Sequence, residues 1–303
     1  LMVCIGGSIG KSAITDMEVS FNQQINCISP ILAFSKYIHF SMQSPHFQVS
    51  ILDAATGSAT PIINRTKWEN LLIAIPPLAE QQRIVTKVDE LMALCDQLEQ
   101  QQNNSQTAHQ HLVSQLLNAL TSPKSIRPEL VVVRQAHHER LDNIASVHPE
   151  LVEGENGSTG SPRTDDFDQT WQRIASHFDV LFTTEDSINQ LKQSILQLAV
   201  MGKLVPQNPD DEPASQLLKK IAAEKAQLVK EGKIKAQKPL PPIADDEKPF
   251  DLPKGWEWVR LGALIELVSG QHLGPSEYVD GLTASLPYLT GPAEFGTLSP
   301  EPT

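Results

Sequence analysis

The sequence predicts an α+β protein in which mixed α/β segments are joined by long antiparallel coiled-coil helices. Three observations carry that reading. Residues 1–77 alternate short apolar runs with Gly, Ser and Asn turns. From Ile84 onward, apolar residues recur at alternating intervals of four and three, and a second such stripe passes through Ile188, Leu191, Ile195 and Leu198. Two long amphipathic helices in one chain pack most naturally antiparallel.

Within residues 1–77 the apolar runs Leu1–Ile5, Gln24–Ile28, Ile62–Ile63 and Leu71–Ile75 are expected as short strands or core segments. Pro30 to Gln48 is expected as one helix, with Ile31, Phe34, Ile38 and Phe47 as its apolar contacts. After Pro76-Pro77 the period changes. Ile84, Val88, Leu91, Cys95 and Leu98 form a heptad seam that continues through Gln102, Ser105 and His109 to Leu112, Leu116 and Ala119. Pro77 suits the first turn and Glu80 the positive end of this helix, which would be roughly 60 Å long. A second helix is marked by Trp171, Ile174, Phe178 and Leu181, then Ile188 to Leu198, with Gly202 ending it. A third runs from Pro213 to Glu231, and a Pro-rich linker follows at 237–249. Pro253-Lys254-Gly255-Trp256-Glu257-Trp258 opens a new apolar stretch, and Leu264–Val268 reads as a strand or short helix. Between the first two helices, residues 123–166 are polar and repeat Pro-Glu-Leu-Val at 128–131 and 149–152, which reads as a disordered insertion resembling translated palindromic repeats.

With 303 residues, of which 40 % are hydrophobic, the chain is large enough for two domains with cores of their own. Leu1 is not an initiator and the first residues read as an interior strand, so the N-terminus of a longer chain is expected to be missing. The three cysteines (Cys4, Cys27, Cys95) are scattered and lack metal-ligand spacing, which suits reduced thiols in a cytoplasmic protein. No apolar run approaches a membrane span. The net charge of −12 argues against wholesale attraction to phosphates. Residues 1–77, however, balance Lys11, Lys36, Arg65 and Lys67 against Asp16, Glu18, Asp53 and Glu69, so any DNA affinity must come from local patches or from a partner.

A search for catalytic chemistry comes back empty. Gly6-Gly7-Ser8-Ile9-Gly10-Lys11-Ser12 approaches a phosphate-binding loop, but the position five before Gly10 is Ile5, so a tight turn presenting Lys11 is the better reading. Neither Pro-Pro pair fits an adenine methyltransferase loop, and Gly57-Ser58-Ala59 lacks the second glycine of a nucleophile elbow. Paired carboxylates such as Asp89/Glu90 and Asp245/Asp246 read as solvated faces, and His137, His138 and His148 lack partners for a metal. The sequence calls for no cofactor and no catalytic residue.

Three stretches, in their order and spacing, resemble the DNA-specificity subunit of type I restriction–modification systems. They are Ile75–Val85 leading into Lys87–Met92, Leu191–Pro206 followed by Asp211–Ala214, and Leu252–Gly262. The resemblance implies two target recognition domains, each reading half of a split DNA sequence, spaced by conserved helices. Such helices hold methyltransferase (modification) subunits, and a motor–nuclease subunit joins for cleavage. The implied division is as follows: 1–77, the C-terminal part of a first recognition domain; 78–122, the first long helix; 123–166, the insertion; 167–236, the second long helix and the one after it; 237–249, the linker; and 250–303, the start of a second recognition domain.

On this resemblance Lys11, Lys36 and Lys67 are candidates for phosphate contacts, while Asn22, Gln23, Gln24 and Ser58 could reach base edges. Ser269, Gly270 and Gln271 resemble the first DNA-facing loop of the second domain. Val88, Leu91, Leu98, Ile188, Leu191, Ile195 and Leu198 are expected to hold the helix pair. For each polar candidate the plainer reading is a solvated turn residue. Two other functions compete: a truncated helical scaffold that has lost sequence reading, and an NTP-dependent enzyme using Gly6–Ser12.

Overall fold

The computed structural model describes residues 1–4, 8–15, 17–57, 61–121, 174, 177, 181–274, 286–291 and 295. The insertion expected at 123–166, with its three histidines, lies outside the described residues, as do Ser58, Trp171 and Phe178. The chain divides into two compact units, residues 1–96 with 163–303, and residues 97–162.

The first unit is built on a four-stranded antiparallel sheet. Its strands are β1 (Met2–Cys4), β2 (Ser12–Ala13), β4 (Ile25–Pro30) and β7 (Ile265–Ser269), in the order β2-β1-β4-β7. The register sets Cys4 opposite Ile25, and Ser269 opposite Asn26. β3 (Ser20–Phe21) runs parallel to β8 (Tyr288–Leu289), and β5 (Leu72–Ile75) pairs with β6 (Glu257–Arg260). Each sheet therefore combines strands from the two ends of the sequence. Ile25 and Leu289 are buried together, with Val19, Phe21 and Phe295 packed against them.

Two helices, α1 (Ser35–Gln43) and α2 (Pro45–Ala54), stand where the sequence suggests one. The reason is local. The ring of Pro45 disfavours helical geometry in the residue before it, and Ser44 is extended at φ −64°, ψ 146°. Ser44 then serves as the N-cap of α2, its hydroxyl accepting from the Phe47 N–H at 3.4 Å, with Pro45 in the first helical position. Phe34, expected as a core contact, is 38 % exposed ahead of α1, whereas Ile38, Phe47 and Ile51 are buried. A short α3 (Arg65–Glu69) buries Trp68 and leads into β5.

α4 (Leu78–Thr121) has 44 residues. Ile84, Val88, Leu91 and Cys95 are buried along one stripe, as the heptad requires. In the part of the helix that belongs to the second unit Leu98 is also buried, whereas Leu112, Val113 and Leu117 are exposed. The next helix, α5, spans Glu185–Val200. The continuous run expected from Trp171 is interrupted at Phe182–Thr184. Thr184 forms a reciprocal capping box with Ser187, which starts a new helix there. α5 packs against α1 and α2, and Ile188, Leu191 and Ile195 are buried. Gly202, at φ 65°, closes it. The Lys203 N–H donates to the Leu198 carbonyl and the Gly202 N–H to the Ala199 carbonyl, the paired bonds of a Schellman end. α6 (Ala214–Lys230) ends the same way at Gly232.

After α6 the chain forms a 3₁₀ turn at Asp245–Glu247, then β6, α7 (Leu261–Leu264) and β7. Arg260 pins the linker to the sheet by donating to the carbonyls of Asn70, Pro241 and Pro242 and to the Glu247 carboxylate. The Lys225 ammonium, held down from its ordinary range by burial, joins α6 to this region through the Gly262 and Ile265 carbonyls. Among the described residues no helix is long and apolar enough to cross a membrane.

Candidate nucleic-acid interface

The register of the central sheet fixes which candidate residues share a neighbourhood. Cys4 ends β1 opposite the start of β4, so the turn from β1 to β2, carrying Lys11, lies at the same end of the sheet as the Asn22–Gln24 turn. β7 arrives at that end too, finishing with Ser269 beside Asn26. The backbone then continues against the other turn. The Gly270 N–H donates to the Ile25 carbonyl at 3.2 Å, and the Gln271 N–H to the Phe21 carbonyl at 3.0 Å. Position 270 must be glycine here, because a Cβ would overlap the Asn22 carbonyl. Lys11, Gln23, Gln24, Ser269 and Gln271 are exposed at this end.

Asn22 is committed to the turn itself. Its Oδ1 accepts from the Gln24 N–H at 2.9 Å and its Nδ2 donates to the Thr290 carbonyl at 2.6 Å. It thus ties the β3–β4 turn to the segment after β8 and sets the pose of Gln23 and Gln24. The Lys11 turn is anchored from the helical side. Gln48 Nε2 donates to the carbonyls of Gly10 (3.2 Å) and Met42 (2.6 Å), and Ser12 Oγ lies 3.3 Å from Nδ1 of His39. Burial lowers the His39 pKa to about 4, so its ring is neutral at physiological pH. The turn at Ser8–Gly10 feeds strand β2, whereas a phosphate-binding loop needs a helix there.

Lys36 and Lys67 lie elsewhere. Lys36 pairs with Asp89 of α4 at 2.7 Å and stands 5.7 Å from the centre of the Phe40 ring, while Lys67 donates to the Ala54 carbonyl at 2.8 Å. Gln48, His39 and Thr290 were invisible as site components in the sequence, since each acts through a partner 27 or more residues away. Asn26, in the row of Ser269, is 1 % exposed, and neither its Oδ1 nor its Nδ2 has a partner.

On the helical side of the unit, Glu80 is buried in the first turn of α4. It accepts from Trp256 Nε1 at 2.9 Å and Gln207 Nε2 at 2.6 Å. Burial raises its pKa to about 7, against the lowering effect of those two donors. One turn on, Arg83 pairs with Asp211, and further along, Asp96 pairs with Lys192 of α5 at 2.9 Å. Leu198 of α5 is half-buried. Among the described residues there is no group of three or more His, Cys, Asp or Glu placed to hold a metal ion.

Residues 1–106 match the family model of the type I restriction modification DNA specificity domain. The type I restriction enzyme EcoAI specificity subunit of Escherichia coli is 50 % identical over 236 residues, 78 % of this chain and 34 % of that protein. The EcoEI specificity subunit of Escherichia coli is 47 % identical over 231 residues, 76 % of this chain and 32 % of that protein. The EcoBI specificity subunit of the same organism is 26 % identical over 170 residues, 54 % of the chain and 35 % of the relative. No solved structure matches the chain. The chain spans about a third of the length of these curated relatives. By its matched domain and its identity to these subunits, it belongs to the family of type I restriction enzyme specificity subunits.

Proposed function

We propose that the chain reads DNA sequence for a type I restriction–modification complex, and that the reading surface is the sheet end carrying Lys11, Gln23, Gln24, Ser269 and Gln271. One observation carries the proposal: polar residues nearly 250 positions apart are hydrogen-bonded into a single exposed edge by Gln271 and Phe21. Amide side chains suit bidentate contacts to base edges, and Lys11 suits a phosphate. Residues 1–77 and 250–303, parts of two recognition domains in the implied division, act here as one composite reading module. Asn22 positions the readers, and Lys67 adds positive charge away from the edge, where the charge of Lys36 is offset by Asp89. Ser58 belongs with the readers by resemblance alone.

The helices are the assembling part. Along α4 the polar partners run from Gln207 at Glu80 to Lys192 at Asp96, so the sequence from Lys192 to Gln207 runs opposite to α4. This order supports an antiparallel pairing in which Val88 and Leu91 face the α5 stripe of Ile188, Leu191 and Ile195. Methyltransferase subunits are the partners proposed for this helical part, and a motor–nuclease subunit for the cleaving complex. The chain itself reads and assembles, and the reaction is carried by its partners.

The test is selection from a pool of random duplexes, followed by binding titrations over a range of salt. Enrichment of a defined sequence is expected. Gln24→Ala and Gln271→Ala should each relax preference at particular base pairs, at a cost of about 1–3 kcal/mol. Lys11→Ala should weaken all sequences alike and reduce the salt slope by about one. A folded chain that enriches no sequence would sink the reading and leave a helical scaffold.

A further inference from the structure

Beside the β5–β6 ribbon, away from the residues assigned to DNA, the segment after α6 leaves a groove of about 760 Å³. Its apolar wall is Phe250 and Trp258, rings packed edge to face at 4.9 Å, with His46 edge-on to both behind them. Trp256, 5 % exposed, lines it as well. The polar side is acidic. Asp245, Asp251 and Glu257 line the groove against one cation, Lys248, and that ammonium is held by Asp245 at 2.6 Å. Two carboxylates thus remain in excess beside two aromatic rings, and among the described residues neither ring carries a lysine or arginine over its face.

A surface of this kind has one complementary chemistry. The faces of Trp and Phe attract a cation through the ring quadrupole, and a guanidinium also stacks flat on them. Carboxylates at the rim accept its N–H groups in pairs. The same charge excludes a phosphate backbone, so this groove and the reading edge cannot share a ligand. We propose that the groove of Phe250, Trp258, Asp251 and Glu257 is a docking site for an arginine side chain on a basic segment of a partner protein.

The indole N–H of Trp258 donates to the Phe250 carbonyl at 3.2 Å, which makes its NMR signal a reporter of the groove. The whole chain, ¹⁵N-labelled at its indoles, would be titrated with a hexa-arginine peptide, and the signal assigned by Trp258→Phe. A saturable shift of the Trp258 signal is expected, with Trp68 unmoved. Asp251→Asn with Glu257→Gln should weaken binding by about five-fold, as losing exposed charge partners would do. Glu185→Gln with Asp186→Asn, on α5, is the control for attraction to net charge. A Trp258 signal that stays in place, or equal loss in the control pair, would overturn the proposal. Both substituted carboxylates are solvent-exposed, so loss of folding does not cloud the reading.

Discussion

Glu80 shows how one side chain can be legible in type and hidden in role. An acid in the first turn of a helix is ordinarily a solvated partner of the helix dipole. Here it is 1 % exposed and joins α4 to Gln207 and Trp256. Its carboxyl is raised from an ordinary 4.5 to about 7, so between these values the folded chain binds more protons than the unfolded one. Stability is then highest below pH 4.5 as far as this group is concerned, falls as pH rises to about 7, and is flat beyond. Glu80→Gln should remove that slope, about 3 kcal/mol, when urea unfolding is followed from pH 4.5 to 8. An unchanged slope in the variant would refute the assignment. Asn26 makes a second residue-scale case. Its buried amide has no partner, so Asn26→Val should raise the unfolding free energy by about 1 kcal/mol in the same assay.

At the scale of elements, two helix ends of identical design carry different loads. Gly202 and Gly232 both sit at positive φ after a Schellman end. A Cβ at 202 would lie 2.5 Å from Cγ of Pro253 and 3.0 Å from the Trp256 ring, whereas one at 232 would meet nothing within 4 Å. Gly232→Ala should cost about 1 kcal/mol, the backbone penalty alone, and Gly202→Ala clearly more, as thermal unfolding would register. Gly202 was readable as a helix stop, because the signal is local. So was the buried stripe from Ile84 to Leu98, since a period repeats within a few turns. The break at Ser44 was missed although Pro45 announces it: the apolar spacing from Ile31 to Phe47 fits one helix, and proline overrides spacing. The restart at Thr184 was missed for the same reason. The apolar stripe continues through the boundary while the capping hydroxyls decide it.

For the whole molecule, the decisive feature was out of reach of any pattern. Nothing local in Ile265–Ser269 says that its partner strand is Ile25–Pro30, because a strand's edge offers the same groups to every candidate neighbour. The candidate polar residues were therefore named in two groups, and only the pairing of β4 with β7 makes them one edge. This pairing predicts that the chain holds together without continuity. With a specific protease site placed at 140–150 and cut, the two fragments should stay together through size exclusion in native buffer and separate in urea. Fragments that part in native buffer would refute the joined sheets. Deleting 250–303 should strip β4 of β7 on one side and β5 of β6, and leave edges prone to aggregate, visible by light scattering.

The contact of Gly270 with Asn22 has a consequence for inheritance. Two turns that lean on each other so closely cannot drift apart in shape, and a side chain at 270 or a redrawn turn at 22–24 would push its neighbour away. They are nearly 250 codons apart in the gene, and a crossover falling anywhere between them would bring together halves never fitted to one another. Hybrids made by exchanging one turn with a relative should fold poorly, and hybrids exchanging both should recover.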